Sequence, residues 1–251
     1  MVTASPLLFP FPRPLHLGHL KRRYQRFFAD ITLDCGEQIT AHCPNTGPMS
    51  GVCTAGSPVA VSHHPDPKRK LAYTWELIQV EGVWVGINTG LPNRIMEFGL
   101  QQGWFPHWQN LVAVQREVPV GQSRLDFCLT LADHSQVYLE IKNTTWSQGS
   151  LALFPDTVTS RGQKHLRELI HLGQAGIRAG LVYFIHRGDC DTFAPAAMRD
   201  PEYAHLFHQA LAAGVEIYPY RFQVTPAGIA FLGMASLVAN AAPPPGGIPE
   251  P

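Results

Sequence analysis

Ser123-Arg124-Leu125-Asp126-Phe127-Cys128-Leu129-Thr130-Leu131, a short polar break, and then Val137-Tyr138-Leu139-Glu140-Ile141-Lys142-Asn143 decide how this chain is read. Apolar residues alternate along both segments, at Leu125, Phe127, Leu129 and Leu131 and again at Val137, Leu139 and Ile141, which is the period of a β-strand. The two segments therefore form a hairpin, and Asp126, Glu140 and Lys142 share the parity opposite to the apolar set. A turn centred on Asp133 pairs Asp126 with Glu140, and one centred on His134 pairs Asp126 with Lys142. Either register gathers an acid, a second acid and an amine.

Two carboxylates facing each other across a strand pair sit roughly 5 Å apart and repel. A divalent cation reverses that sign, and Mg2+ (or Mn2+) accepts one or two carboxylates with water and substrate phosphate completing its shell. Lys142, two residues from Glu140 on the same face, is positioned to hold an attacking water or to stabilise charge developing on phosphorus. Asp, spacer, Glu-x-Lys resembles the PD-(D/E)XK nuclease signature, with Asp126 and Glu140 as metal ligands and Lys142 as the catalytic lysine. An exposed cross-strand ion pair is the plainer explanation of the same three residues.

Outward from the hairpin, the chain from about 91 to 240 reads as a layered α/β domain. A helix over 92–103 and a strand over 111–119 precede the hairpin, and helices over 161–172 and 201–213 follow it. The apolar run Leu181-Val182-Tyr183-Phe184-Ile185 is a central strand buried on both faces, and 215–220 is a further strand. An antiparallel hairpin combined with αβ crossovers predicts a mixed sheet. Upstream, residues 17–90 carry five short strand-like segments, 24–33, 38–42, 59–62, 73–80 and 84–88, with turn-rich breaks and no helix. That count suits a small OB-like barrel. Residues 1–16 and the Pro/Gly-rich 241–251 have the composition of mobile ends.

With 251 residues, 45% hydrophobic and 15% charged, the chain supports two packed domains. Its net charge of zero means that a nucleic-acid partner must be argued from local clusters. Five cysteines without Cys-x-x-Cys spacing disfavour a disulfide framework or structural zinc site, and small buried thiols are expected. No apolar stretch is long enough to span a bilayer and no signal peptide is recognised, so a soluble cytoplasmic protein is expected. Nucleophile-elbow, phosphate-loop and dinucleotide fingerprints are absent from the sequence.

Longer stretches resemble one family closely. They are 22–27 (Arg-Arg-Tyr-Gln-Arg-Phe), 42–47 (His-Cys-Pro-Asn-Thr-Gly), 67–77, 88–93 (Asn-Thr-Gly-Leu-Pro-Asn), Ser123 to Phe127, Glu140-Ile141-Lys142-Asn143, and 153–166 from Leu153-Phe154-Pro155-Asp156 to Gln163-Lys164-His165-Leu166. In this order they resemble the sugar fermentation stimulation protein A family, departing slightly at Pro48 and Ser50. The resemblance implies an N-terminal OB-like β-barrel joined to a C-terminal PD-(D/E)XK nuclease-like mixed sheet flanked by helices. It also implies DNA binding linked to regulation of sugar (maltose) metabolism genes. Two functional readings follow: a DNA-binding protein with an Mg2+-dependent nuclease site, or a non-catalytic DNA-binding regulator that retains the scaffold.

Other residues carry weaker signals. Gln163 either touches substrate or forms a capping box with Ser160 at the start of the helix, and Glu97 either adds a carboxylate from behind the site or lies on a solvated helix face. Arg22, Arg23 and Arg26, interleaved with Tyr24, Phe27 and Phe28, suit an unstacked strand, although strand parity sends some of these aromatics into the core. Lys68-Arg69-Lys70 is the cleaner phosphate-contact cluster. His63-His64 and His165/His171 lack zinc spacing and are read as surface or capping residues.

Overall fold

The computed structural model describes residues 8–238. Its first half comprises β1 (Leu15–Tyr24), β2 (Phe28–Leu33), β3 (Gln38–His42), β4 (Pro58–His63), β5 (Tyr73–Val80) and β6 (Val83–Gly86). Neighbours pair antiparallel in the order β3-β2-β1-β4-β5, and β3 returns to β5 in parallel at Ala41↔Tyr73 and His42↔Thr74. Five strands thus close into an OB-like barrel without an open edge, and β6 folds back on β5. Strand alternation fills it: Ala29, Ile31 and Leu33 of β2 point inward with Leu20, Val61, Trp75 and Ile78.

Two expectations fail here. Residues 24–33 are not one strand, because Gln25 and Arg26 adopt positive φ of 48° and 64° and reverse the chain between β1 and β2. The N-terminal segment is not uniformly a mobile end either. Phe9 is buried and exchanges backbone hydrogen bonds of 2.7 and 3.0 Å with Ile229, and β1 already begins at Leu15. Residues 1–7 and the 241–251 tail lie outside the described residues.

The second half begins with α1 (Leu91–Gln101) and continues through β7 (Leu111–Val120), β8 (Ser123–Leu131), β9 (Gln136–Thr144), β10 (Ser147–Gln148) and β11 (Leu151–Phe154). Then come α2 (Ser160–Gln174), β12 (Ala179–Ile185), β13 (Thr192–Pro195), α3 (Pro201–Ala212), β14 (Glu216–Thr225), β15 (Gly228–Met234) and β16 (Ser236–Leu237). The main sheet runs β15-β14-β12-β9-β8-β7; β12 is parallel to β9 and β14, and the outer pairs are antiparallel. This is the mixed sheet flanked by helices that the hairpin and the αβ crossovers predict. Every residue of β12 is buried, as its unbroken apolar run requires. A second small sheet, β10-β11-β13-β16, has strands too short to leave a periodic trace in the sequence.

Helix α1 and the barrel cover one face of the main sheet, where Ala60, Leu77, Ile95 and Met96 join Phe127, Leu139, Val182 and Phe184. Helices α2 and α3 cover the other through Leu166, Leu169, Leu206 and Phe207 against Leu181 and Tyr183. Among the described residues no helix is long and apolar enough to cross a membrane. Cys43, Cys128 and Cys190 are buried, whereas Cys35 is exposed and Cys53 only half-buried, so the expectation of uniformly buried thiols holds for three of the five.

The barrel and sheet meet on a tight seam. Gly86 N–H donates to the His186 carbonyl at 2.9 Å, and Val85 bridges Arg187. A Cβ added to Gly86 would lie 2.0 Å from His186 Nε2, so only glycine admits the ring. His186 is fully buried, and that burial lowers its pKa to about 3. It is therefore a neutral spacer, with Nδ1 3.1 Å from Asn143 Oδ1.

Candidate active site

The hairpin register is that of a turn centred on Asp133: Phe127 faces Leu139 and Leu129 faces Val137. The next position outward sets Asp126 against Glu140. There the backbone ladder stops, and Asp126 Oδ2 takes its place by accepting the Ile141 N–H at 2.7 Å. The strands diverge beyond this point, and Leu125 packs with the cluster under α2 and α3 rather than with Phe127. Asp126 is thus held by β9 as well as carried by β8. Its other oxygen accepts Asn93 Nδ2 of α1 at 2.7 Å.

The acids and the amine do converge, but in a buried setting rather than on an exposed strand face. The Glu140 side chain is 4% exposed and that of Lys142 11%. Lys142 Nζ donates to Glu140 Oε1 at 2.6 Å, and His165 Nδ1 contacts the same oxygen. His165 Nδ1 is also 3.2 Å from Lys142 Nζ, so its tautomer decides whether it donates to the glutamate or accepts from the lysine. Two groups crowd Oε1. The other oxygen of Glu140, Oε2, is buried with no hydrogen-bond partner.

The electrostatics follow from this asymmetry. Burial, and then the charge of Glu140, raise the Asp126 pKa to about 6. Burial alone would raise Glu140 as well, but the charge of Lys142 and the His165 contact outweigh it and hold that carboxyl below its ordinary value. Glu140 stays ionised, and its charge holds a proton on Asp126 longer than usual.

This donor set fits a hard divalent cation: two adjacent carboxylates, one with a bare oxygen and one penalised by its neighbour's charge. Among the described residues no group of three or more His, Cys, Asp or Glu has metal-binding geometry. Remaining ligand positions would fall to backbone carbonyls, water and substrate, as Mg2+ favours, and not to a closed zinc shell.

Gln163 does not join the trio. Its amide donates to both Asp200 oxygens at 3.0 and 3.1 Å, and Asp200 also accepts from Thr159 N and from Tyr203 N, capping α3. The anticipated Ser160 capping box is replaced by a Thr159 cap that accepts from Gly162 N. Glu97 pairs with Arg116 at 3.0 Å near the surface and supplies no third carboxylate. His165, read from sequence as a surface or capping residue, is buried on the stripe Gly162, His165, Leu166, Leu169. That helical spacing was the available signal for His165. For Asn93 the available signal was its place at the end of the family-like stretch 88–93.

The basic clusters separate on inspection. Arg23 donates to the carbonyls of Arg26, Asn45 and Gly47, so its guanidinium ties two loops together and leaves the phosphate-contact set. Arg22 pairs with Asp30 at 2.8 Å and lies 4.9 Å over the Tyr24 ring, which stacks on Phe28 at 5.4 Å. None of these aromatics is core, and Phe27 at the hairpin tip beside Arg26 is 48% exposed. Lys68 and Lys70 are exposed, and Arg69 donates to Thr74 Oγ1 at 2.8 Å. Arg13, His64 and Arg69 line one shallow pocket. Burial, then the charges of Arg69, Arg13, His63 and Arg94, lower the His64 pKa, and Asp66 lines the same pocket beside these cations.

Residues 90–228 match the Sugar fermentation stimulation protein RE domain, and residues 22–87 match the SfsA N-terminal OB domain. A Sugar fermentation stimulation protein homolog of Synechococcus sp. (strain JA-2-3B'a(2-13)) is 61% identical over 234 residues, covering 93% of this chain and 98% of its own. One from Thermosynechococcus vestitus is 58% identical over 240 residues, with 93% and 98% covered. The structure of Pyrococcus furiosus SfsA in complex with Ca2+ matches with a TM-score of 0.85 at 27% identity, covering 94% of this chain and 100% of that one.

Proposed function

The chain belongs to the sugar fermentation stimulation protein family, and we propose that it binds DNA and hydrolyses a phosphodiester bond, with Asp126 and Glu140 holding a divalent cation. One observation carries this reading: a buried glutamate oxygen without a partner, Glu140 Oε2, beside an aspartate whose pKa is raised to about 6. Buried carboxylate oxygens kept for structure usually find a donor, as both oxygens of Glu76 do. Ca2+, complexed by the archaeal relative, seeks the same oxygen donors as Mg2+ or Mn2+.

The residues divide the work. Asn93 and the Ile141 N–H fix the Asp126 carboxylate. Lys142 has three N–H donors; with one on Glu140 and one towards His165, the third is left for a phosphate oxygen as charge develops there. His165 keeps the amine against the glutamate. When bound, the cation supplies Lewis-acid polarisation of the phosphate and neutralises the paired carboxylates. Exposed Arg26, Lys68 and Lys70, with Arg69 and the Arg22 stack, provide phosphate contacts along the barrel, a sequence-independent grip that weakens steeply with salt.

The test is a nicking assay on circular single- and double-stranded DNA with Mg2+ or Mn2+, and then with chelator. Cleavage that needs metal and is lost in Asp126→Asn and Lys142→Ala is expected. A salt-sensitive mobility shift without cleavage replaces the enzymatic reading with a binding-only regulator. Binding that is flat with salt and unchanged by Lys68→Ala removes DNA as the partner.

A further inference from the structure

Where β9 ends, a cleft of about 150 Å³ lies between the barrel and the main sheet. Asn45 and Thr89 line it from the barrel side, and Asn143, Thr145, Trp146 and Asp156 from the sheet side, with Phe154 as a second aromatic wall. Asn143 follows Lys142 and is three residues, or about 10 Å of extended chain, beyond Glu140. Carboxyl ends of central parallel strands are where open α/β sheets hold ligands. None of these cleft residues is used by the chemistry proposed above.

Their hydrogen-bonding state is informative. Asn45 Oδ1 accepts from Gly47 N at 2.9 Å, and Asn143 Oδ1 is taken by His186 Nδ1 at 3.1 Å. With both carbonyl oxygens engaged by protein, each amide NH2 is left as a donor. Asp156 Oδ2 accepts from Ser50 N at 3.5 Å, the Met49 and Asp156 N–H groups and the Arg199 charge also act on the carboxyl, and burial outweighs them to raise its pKa, so it lines the same space as an acceptor that no side chain donates to. Two donors, an acceptor and a Thr145 hydroxyl between aromatic walls are the groups that read the edge of a heterocycle. No lysine or arginine is among the lining residues; Arg199 lies 5.2 Å over the Trp146 ring and its charge is matched by Asp156, and the carboxyl in the lining is the wrong chemistry for a phosphate. Its volume admits one planar base rather than a base pair.

We propose that this cleft receives the base of one unstacked nucleotide adjoining the phosphate bound at Asp126 and Glu140, so that the preferred substrate is single-stranded or locally unpaired DNA. The proposal rests on the phosphodiesterase reading of that site. It explains why an asparagine from the barrel and an asparagine next to the lysine border one slot.

The experiment measures binding of the full chain, by anisotropy of a distally labelled oligonucleotide with Ca2+ present. Three forms of one sequence are compared: a single strand, a duplex with one unpaired base, and a perfect duplex. Wild type should prefer the first two by about tenfold, the contribution of one stacked base. Trp146→Ala should collapse that ratio towards one, and Trp146→Phe should restore it. Thr89→Trp, which obstructs the mouth from the exposed barrel side, should also collapse the ratio and decides the matter if Trp146→Ala does not fold. Equal binding of all three forms by wild type, or a ratio unmoved by Thr89→Trp, overturns the base slot while leaving the phosphodiesterase site standing. Failure of every form to bind overturns both.

Discussion

Each half of the molecule buries a glutamate on a strand, and the two are treated in opposite ways. Glu76 of the barrel accepts from Ser62 Oγ through one oxygen and from Asn88 Nδ2 through the other, both at 2.6 Å. Its partners are neutral and burial raises its pKa. Glu140 of the sheet has Lys142 and His165 on one oxygen, none on the other, a second acid opposite and a lowered pKa. Burial of an acid is therefore not what marks a site. The mark is a lone pair left bare beside a like charge, since a structural acid has its hydrogen bonds completed and an acid kept for a ligand does not.

The sharpest way to break this contrast is catalysis. Lys142→Ala or Asp126→Ala should lower Mg2+-dependent nicking by on the order of 10³-fold, whereas Glu76→Ala should leave the rate per folded molecule within a few-fold, as read on supercoiled plasmid. Stability reverses the ranking for Glu76. Its alanine variant removes the acceptor of Asn88 Nδ2 and leaves Ser62 Oγ with His64 alone, and should cost about 2 kcal/mol in denaturant unfolding.

Saturating Mg2+ or Ca2+ should stabilise wild type by roughly 2.7 kcal/mol at a hundred times Kd, stabilise Glu76→Ala equally, and do nothing for Asp126→Ala in thermal unfolding. Protons compete with the cation at Asp126, whose pKa is raised to about 6. Cation affinity measured by calorimetry should therefore rise about tenfold from pH 5 to pH 7, as that carboxyl loses its proton, and level off above. The smallest effect belongs to Gln163→Ala. Losing its hydrogen bonds to Asp200 should cost about 1 kcal/mol of stability and leave cation affinity unmoved.

Much of this arrangement could be read from local periodicity. Alternation along Ser123–Leu131 and Gln136–Thr144 narrowed the register to two choices, and the buried run Ala179–Ile185 announced a central strand. What escaped was set by tertiary packing or by short breaks in period. Strand β1 was missed because its register slips between Leu20 and Arg22, and the turn after it uses left-handed Gln25 and Arg26 with no glycine to signal it. The α2 cap lies one residue earlier than the sequence suggested, which freed Gln163 to reach Asp200. His165 and Asn93 become part of the site only because α2 and α1 press on opposite sides of the same two strands.

At the seam between the halves, the fit depends on an atom that is not there. Because the ring of His186 occupies the place of a side chain at residue 86, any larger residue there must displace the ring or the strand that carries it. That ring meets Asn143, the residue after Lys142, so a change made at the joint is handed on to the strand that carries the site.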